Sequence, residues 1–150
     1  MSGSDEQSGL EAVARLKAEA ERSAALALAA AERRLAEEEA RLESLREMAE
    51  QYSSRWSFAG GDLQRLRDTR SFIAQLQAGV HAQTAAVEQQ RRVTEAARAQ
   101  WVAARLQREA LDKVIDERAA EESRLAERRE QRLTDDRSAR SSRFVPAVND

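Results

Sequence analysis

The chain has 150 residues with a formal net charge of −2; 35% of its side chains are charged, 4% are aromatic, and it has no cysteine and a single proline. Without cysteine there is neither a disulfide framework nor a thiolate metal site, and a near-neutral balance does not provide the basic field that nucleic acid demands. The most apolar run, the eight residues from Ala24 to Ala31, is less than half of what crosses a bilayer. What remains is a composition of Ala, Glu, Arg, Leu and Gln, which is that of long helices.

From Met1 to Gly9 the chain is small and polar, without the basic start and apolar run of a secretory signal, and residues 1–8 are expected to be disordered. A first helix is expected over 9–54, with Ser8 as N-cap and Glu11 closing a capping box. Its seven-residue rhythm reads Leu28, Leu35, Leu42, Ala49 and Trp56 at a, with Ala31, Glu38, Leu45 and Tyr52 at d. Further back Val13, Leu16, Ala20, Ser23 and Ala27 keep a rhythm one residue out of phase, a slip that the Ala-rich stretch can absorb. Residues 55–62 read as a turn, where Gly60 and Gly61 permit a reversal and Asp62 can cap the first turn of a second helix.

That second helix is expected over 63–138, roughly 115 Å long at 1.5 Å per residue. Its a series runs Leu66, Ile73, Val80, Val87, Thr94, Trp101, Arg108, Ile115; its d series runs Thr69, Leu76, Gln83, Gln90, Ala97, Ala104, Leu111, Arg118, Leu125. That is a coiled-coil seam. The fold class is therefore all-α, an antiparallel two-helix coiled-coil hairpin whose second helix overhangs. Residues 1–50 hold 12 acids and 7 bases against 15 and 18 in the rest, an asymmetry that favours antiparallel pairing. The core is expected from Leu35, Leu42, Leu45, Tyr52, Ile73, Val80, Val87 and Trp101.

Opposing a and d layers across the turn pairs Tyr52 with Leu66, Ala49 with Thr69, Leu45 with Ile73, Leu42 with Leu76, Glu38 with Val80 and Leu35 with Gln83. Beyond the slip, Ala20 meets Ala97, Leu16 meets Trp101 and Val13 meets Ala104. The first helix then runs out near Gly9 opposite Arg108. The second overhangs from Glu109 to Ser138, carrying Leu111, Val114, Ile115, Leu125 and Leu133 without a partner in its own chain. Such a stripe predicts an external one. Residues 139–150, with Pro146 inside a short apolar run, are expected to be a disordered tail.

Chemistry is sparse. The lone His81 falls at an exposed position, no phosphate-cradling loop is present, and a two-helix pair offers no concavity in which to tune a carboxylate. No catalytic, cofactor or metal residue is assigned, and an enzyme is not expected. Phe72 is different: it stands at g, off the seam, and with Leu76, Gly79 and Gln83 makes a stripe slanting toward solvent that suits a protein partner.

Leu45, Tyr52, the ten residues Ser53 to Asp62 that include the turn, Ser71-Phe72-Ile73-Ala-Gln-Leu76, Gln83, Val87, Glu95, Trp101-Val-Ala-Ala-Arg105, Leu111, Glu117-Arg118 and Arg128-Arg129-Glu130-Gln131 together resemble the flagellar type III export protein FliJ family, over residues 40 to 137. The resemblance implies a non-enzymatic stalk set in the pore of the hexameric export ATPase, promoting assembly of its ring, linking it to the transmembrane export gate and recycling export chaperones. It implies a cytoplasmic protein, peripheral at the inner membrane face through its partners. The family's gate-contacting patch falls on Phe72, Leu76, Gly79 and Gln83; Gly79 and Gln83 depart from the family's Ala and His. The ATPase-facing residues would be Val13, Leu16, Leu111, Val114, Ile115, Arg118 and Leu125. An injectisome stalk of the same architecture and a homodimeric coiled-coil scaffold are the alternatives.

Overall fold

The computed structural model describes residues 2–56 and 62–144. They form two helices, α1 (Ser2–Trp56, 55 residues) and α2 (Leu63–Arg143, 81 residues), packed against each other as a hairpin, with no strand among the described residues. α2 starts where Asp62 accepts a 3.1 Å bond from the Leu66 amide on its carbonyl and a long 3.5 Å bond from Gln64 N on its side chain. The expected reversal at Gly60 and Gly61 lies outside the described residues. Both helices exceed their expected bounds: α1 covers the segment 2–8 expected to be disordered, and α2 runs to Arg143 rather than 138.

The chain divides into two compact units, Leu16–Leu106 and the pair formed by Met1–Arg15 with Gln107–Asp150. In the first unit the partly or fully buried residues of α2 follow the expected seam from Leu66 and Thr69 through Val87 and Thr94 to Trp101 and Ala104. On α1 they are Leu28, Ala31, Leu35, Glu38, Leu42, Leu45 and Ala49. Ala31, Leu42, Val87 and Thr94 are the most deeply buried. Tyr52, expected in the core, is 37% exposed and meets Phe72 edge-on at 4.9 Å.

Two corrections concern register. The first is that α1 does not slip. Its inward side continues without a break from Leu28 to Ala24, Glu21 and Lys17, while Leu16, Ala20, Ser23 and Ala27 are exposed, Leu16 at 64%. A slip needs local unwinding of the pair, whereas the unbroken rhythm costs only partial burial of Lys17 and Glu21, whose long aliphatic stems are suited to cover apolar surface. Leu16 is therefore not the partner of Trp101.

The second correction is a displacement of the pairing by one whole heptad. Thr94 Oγ1 donates to the Ala31 carbonyl at 3.3 Å and to its own Gln90 carbonyl at 2.9 Å, and Gln90 Nε2 donates to Ala31 O at 3.3 Å. Gln83 Nε2 donates to the Glu38 carbonyl at 3.0 Å and also to the Glu38 carboxylate. Leu42 thus stands level with Gln83 instead of Leu76, and Val87 level with Glu38. An a/d pattern meshes equally well at any multiple of seven, so the seam itself cannot choose. The polar residues in it can, because in the expected pairing Glu38 faces Val80 and Gln83 faces Leu35, leaving both groups half-buried against hydrocarbon. A polar core position that fixes register at some expense of stability is an established device of coiled coils.

This yields a first prediction. Glu38→Leu with Gln83→Leu raises stability by about 1–3 kcal/mol, as apolar replacement of a buried polar pair often does, but loosens register. Cysteines introduced by Glu39→Cys and Arg91→Cys, where an ion pair now closes at 3.1 Å, should cross-link in the parent. Glu39→Cys with Thr84→Cys, one heptad away, should cross-link only in the double-leucine background. Exclusive capture at 39/91 in both backgrounds contradicts the assignment.

In the second unit Leu10 and Ala14 are the half-buried residues of α1, and Arg108, Leu111, Asp112 and Ile115 those of α2. Gly3, Glu6, Gln7, Leu10 and Glu11 enclose, with Ile115, Arg118, Ala119 and Glu122, a cavity of about 80 Å³. Leu10 stands level with Ile115 rather than with Gln107, a displacement of one heptad plus the one-residue slip that α1 does not make. The expected overhang beginning at Glu109 is therefore corrected: α1 accompanies α2 as far as Glu122. Beyond it, from Ser123 to Phe144, every residue is exposed.

Candidate functional site

Among the described residues no group of three or more His, Asp or Glu side chains could hold a metal ion, and no helix is long and apolar enough to cross a membrane. The site must be sought in surfaces. Three were indicated by the sequence, and the structure treats them differently.

The first is the Phe72 stripe. Phe72 is 41% exposed and rests its ring on Tyr52 of α1; Leu76 and Gly79 are half-buried. A methyl group built on Gly79 meets nothing within 4 Å, so the Gly is not there to relieve crowding; it leaves a shallow place in the surface. Gln83 is half-buried and its amide is held by Glu38, which makes it a register residue first and a surface residue second. The stripe is also not a property of α2 alone. Met48 and Tyr52 stand on the same side, and Arg41 and Leu45 share an open groove with Gln83. The sequence could have shown the α1 half only once the register was known.

The second surface was to be the paired ends, Val13 and Leu16 with Leu111, Val114, Ile115, Arg118 and Leu125. They do not form one set. Leu111 and Ile115 face α1, Arg118 lines the cavity beside Gln7 and Leu10, and Val13 and Val114 are each 42% exposed. Leu16 belongs to the other compact unit.

The third is the end of α2. Leu125 and Leu133 are exposed among Arg124, Glu127, Arg128, Arg129, Glu130 and Arg132, on helix that continues to Arg143. Pairs at i and i+4 stabilise such a helix by only tenths of a kcal/mol each.

Electrostatics separates the two flanks of the Leu16–Leu106 pair. One is bridged between the helices, Arg91 to Glu39 at 3.1 Å and Arg98 to Glu32 at 3.0 Å. These pairs realise the charge asymmetry of the two halves, although at such exposure each contributes about 1 kcal/mol at most. The other flank, where Phe72 lies, has no interhelical pair among the described residues.

A family model described as flagellar FliJ protein matches residues 7–143. No curated protein and no solved structure matches the chain.

Proposed function

Because this chain belongs to the flagellar FliJ protein family, and is thereby a component of the flagellar export apparatus, we propose that it serves there as a non-enzymatic stalk. It binds the hexameric export ATPase through the end of the helix pair, promotes assembly of that ring, connects it to the cytoplasmic domain of the transmembrane export gate and escorts export chaperones. It sits in the cytoplasm, at the inner membrane face, through those partners.

One observation carries the reading. α2 remains helical to Arg143, yet every described residue after Glu122 is exposed, Leu125 and Leu133 included. A helix extended past its partner with an apolar remnant along it is suited to enter a ring of other subunits. Val114, exposed next to the Ile115 layer, extends that surface toward the paired segment, and Val13 of α1 is exposed in the same compact unit. On the resemblance, Phe72, Leu76, Gly79 and Gln83 face the gate.

The test is co-elution with the export ATPase of the same organism while ATP hydrolysis is followed, for the full chain and for a chain ending at Glu122. Binding and stimulation by the full chain, lost on truncation with the helix pair intact by circular dichroism, is the expected result. No interaction, together with a dimeric mass for the chain alone, overturns it in favour of a scaffold whose exposed ends pair with each other.

A further inference from the structure

Residues 3–15 of α1 are held less firmly than the rest of that helix. Of their side chains only Leu10 and Ala14 are half-buried and none is buried, whereas Leu35, Glu38, Leu42 and Leu45 all turn inward further along. Gly9 stands inside the helix, where it lowers the helical population about fivefold relative to alanine. Nothing in the fold asks for it: its φ is not positive, and a methyl group built there or on Gly3 meets nothing within 4 Å. The space beneath is not filled either. The cavity of about 80 Å³ against α2 sets three carboxylates, Glu6, Glu11 and Glu122, around the guanidinium of Arg118.

The clasp that joins the helices elsewhere is also missing. Glu32 and Glu39, at e positions of α1, close on Arg98 and Arg91 at e positions of α2. Glu11 is at e too, but in the observed register the residue that corresponds to Arg91 and Arg98 is Ala119. What the segment covers is apolar. Leu111 and Ile115 are half-buried against it, on the helix that carries the exposed Val114 and Leu125.

We infer that residues 3–15 are a detachable strap. In the free protein they cover Leu111 and Ile115; on entry into the ring, an apolar surface of an ATPase subunit displaces them, and the covered layer joins Val114 and Leu125 in one stripe. The inference rests on the proposed ATPase contact and adds to it a closed state that the ATPase must open. Continuity decides the occupant: the layer laid bare prolongs the exposed stripe that carries the stalk reading, so the partner of the exposed part is the one placed to take the covered part. The strap keeps these side chains from water until the ring is present. Its weakness makes the exchange possible, since a partner that binds only the open form loses affinity in proportion to the open fraction.

The experiment locks the strap in the full chain, which has no cysteine of its own, through Glu11→Cys with Ala119→Cys, positions related as Glu39 and Arg91 are. Binding to the export ATPase of the same organism is measured before and after reduction. The oxidised form is expected to bind about tenfold or more weakly than the reduced form, because the open population is removed. Ala119→Arg, which supplies the missing clasp, should weaken binding roughly two- to fivefold, the reach of an exposed ion pair, and should bind as the parent does in a Glu11→Ala background. Leu10→Ala, which loosens the strap, should bind severalfold more tightly. In the chain alone, hydrogen exchange of residues 3–15 should be far faster than that of the Leu16–Leu106 core. Equal affinity of oxidised and reduced forms overturns the strap and leaves the stalk reading standing, whereas no binding by any form, the parent included, removes both. A pair of thiols that does not cross-link, an Ala119→Arg loss that persists without Glu11, a Leu10→Ala variant that binds less, or protection of residues 3–15 equal to that of the core also overturns it.

Discussion

Val87→Asp removes most of the helix at 37 °C, while Val87→Lys leaves a folded, weakened protein. Val87 is 3% exposed, the least of the core residues, and in the observed register it stands level with Glu38, whose carboxylate already accepts from Gln83. An Asp there adds a second charge of the same sign to a half-buried layer, for which about 4 kcal/mol or more is the appropriate scale. A chain of this size has about 5–15 kcal/mol in all, and a seam one residue wide has little to spare. A Lys loses the same hydrocarbon packing but offers Glu38 a counter-ion and can extend its stem to the surface, so it should cost about 2 kcal/mol less. Urea unfolding of the two variants checks this. In the pairing expected from the a/d pattern alone, Val87 stands opposite Ala31, and Asp and Lys would then destabilise alike; equal losses would contradict the register.

The fold was legible in the sequence because a seven-residue rhythm is a local property. Leu66, Ile73, Val80 and Val87 announce an inward face whatever they face, and Asp62 marks the start of α2 by its own cap. The register was not legible to the same degree, since displacement by a full heptad leaves every a opposite a d. Only Glu38, Gln83, Gln90 and Thr94 distinguish the alternatives, and they do so through particular hydrogen bonds that a hydrophobic pattern does not encode. The same degeneracy hid the α1 half of the Phe72 flank, because which α1 residues lie beside Phe72 depends on the register. At the N-terminus Gly3, Ser4 and Gly9 lower helix propensity by up to about 1 kcal/mol each, which argues locally for disorder. Packing of Leu10 level with Ile115 overrides it, a tertiary effect outside any local reading. Val13, Leu16, Ala20 and Ala27 misled for another reason: they are a true rhythm, but one that runs along an exposed side.

Trp101 provides the strongest check on the unbroken phase of α1. Half-buried, with the Arg105 guanidinium 5.5 Å from its ring centre, it stands level with Ala24, and a large ring opposite a small side chain is how facing layers fill the space between two helices. Trp101→Ala should cost about 3 kcal/mol, the lower end for aromatic truncation because the ring is partly solvated. Leu16→Ala, on an exposed side chain, should change stability by no more than about 0.5 kcal/mol. The two should add, since they share no layer. Ala24 should behave in the opposite way: Ala24→Leu overpacks against the ring and costs about 1–3 kcal/mol in the parent, but fills the vacancy and regains stability in the Trp101→Ala background. Melting curves of the single and double variants give both couplings. Strong coupling of Trp101 to Leu16, with none to Ala24, would restore the slipped phase and return Leu16 to the core.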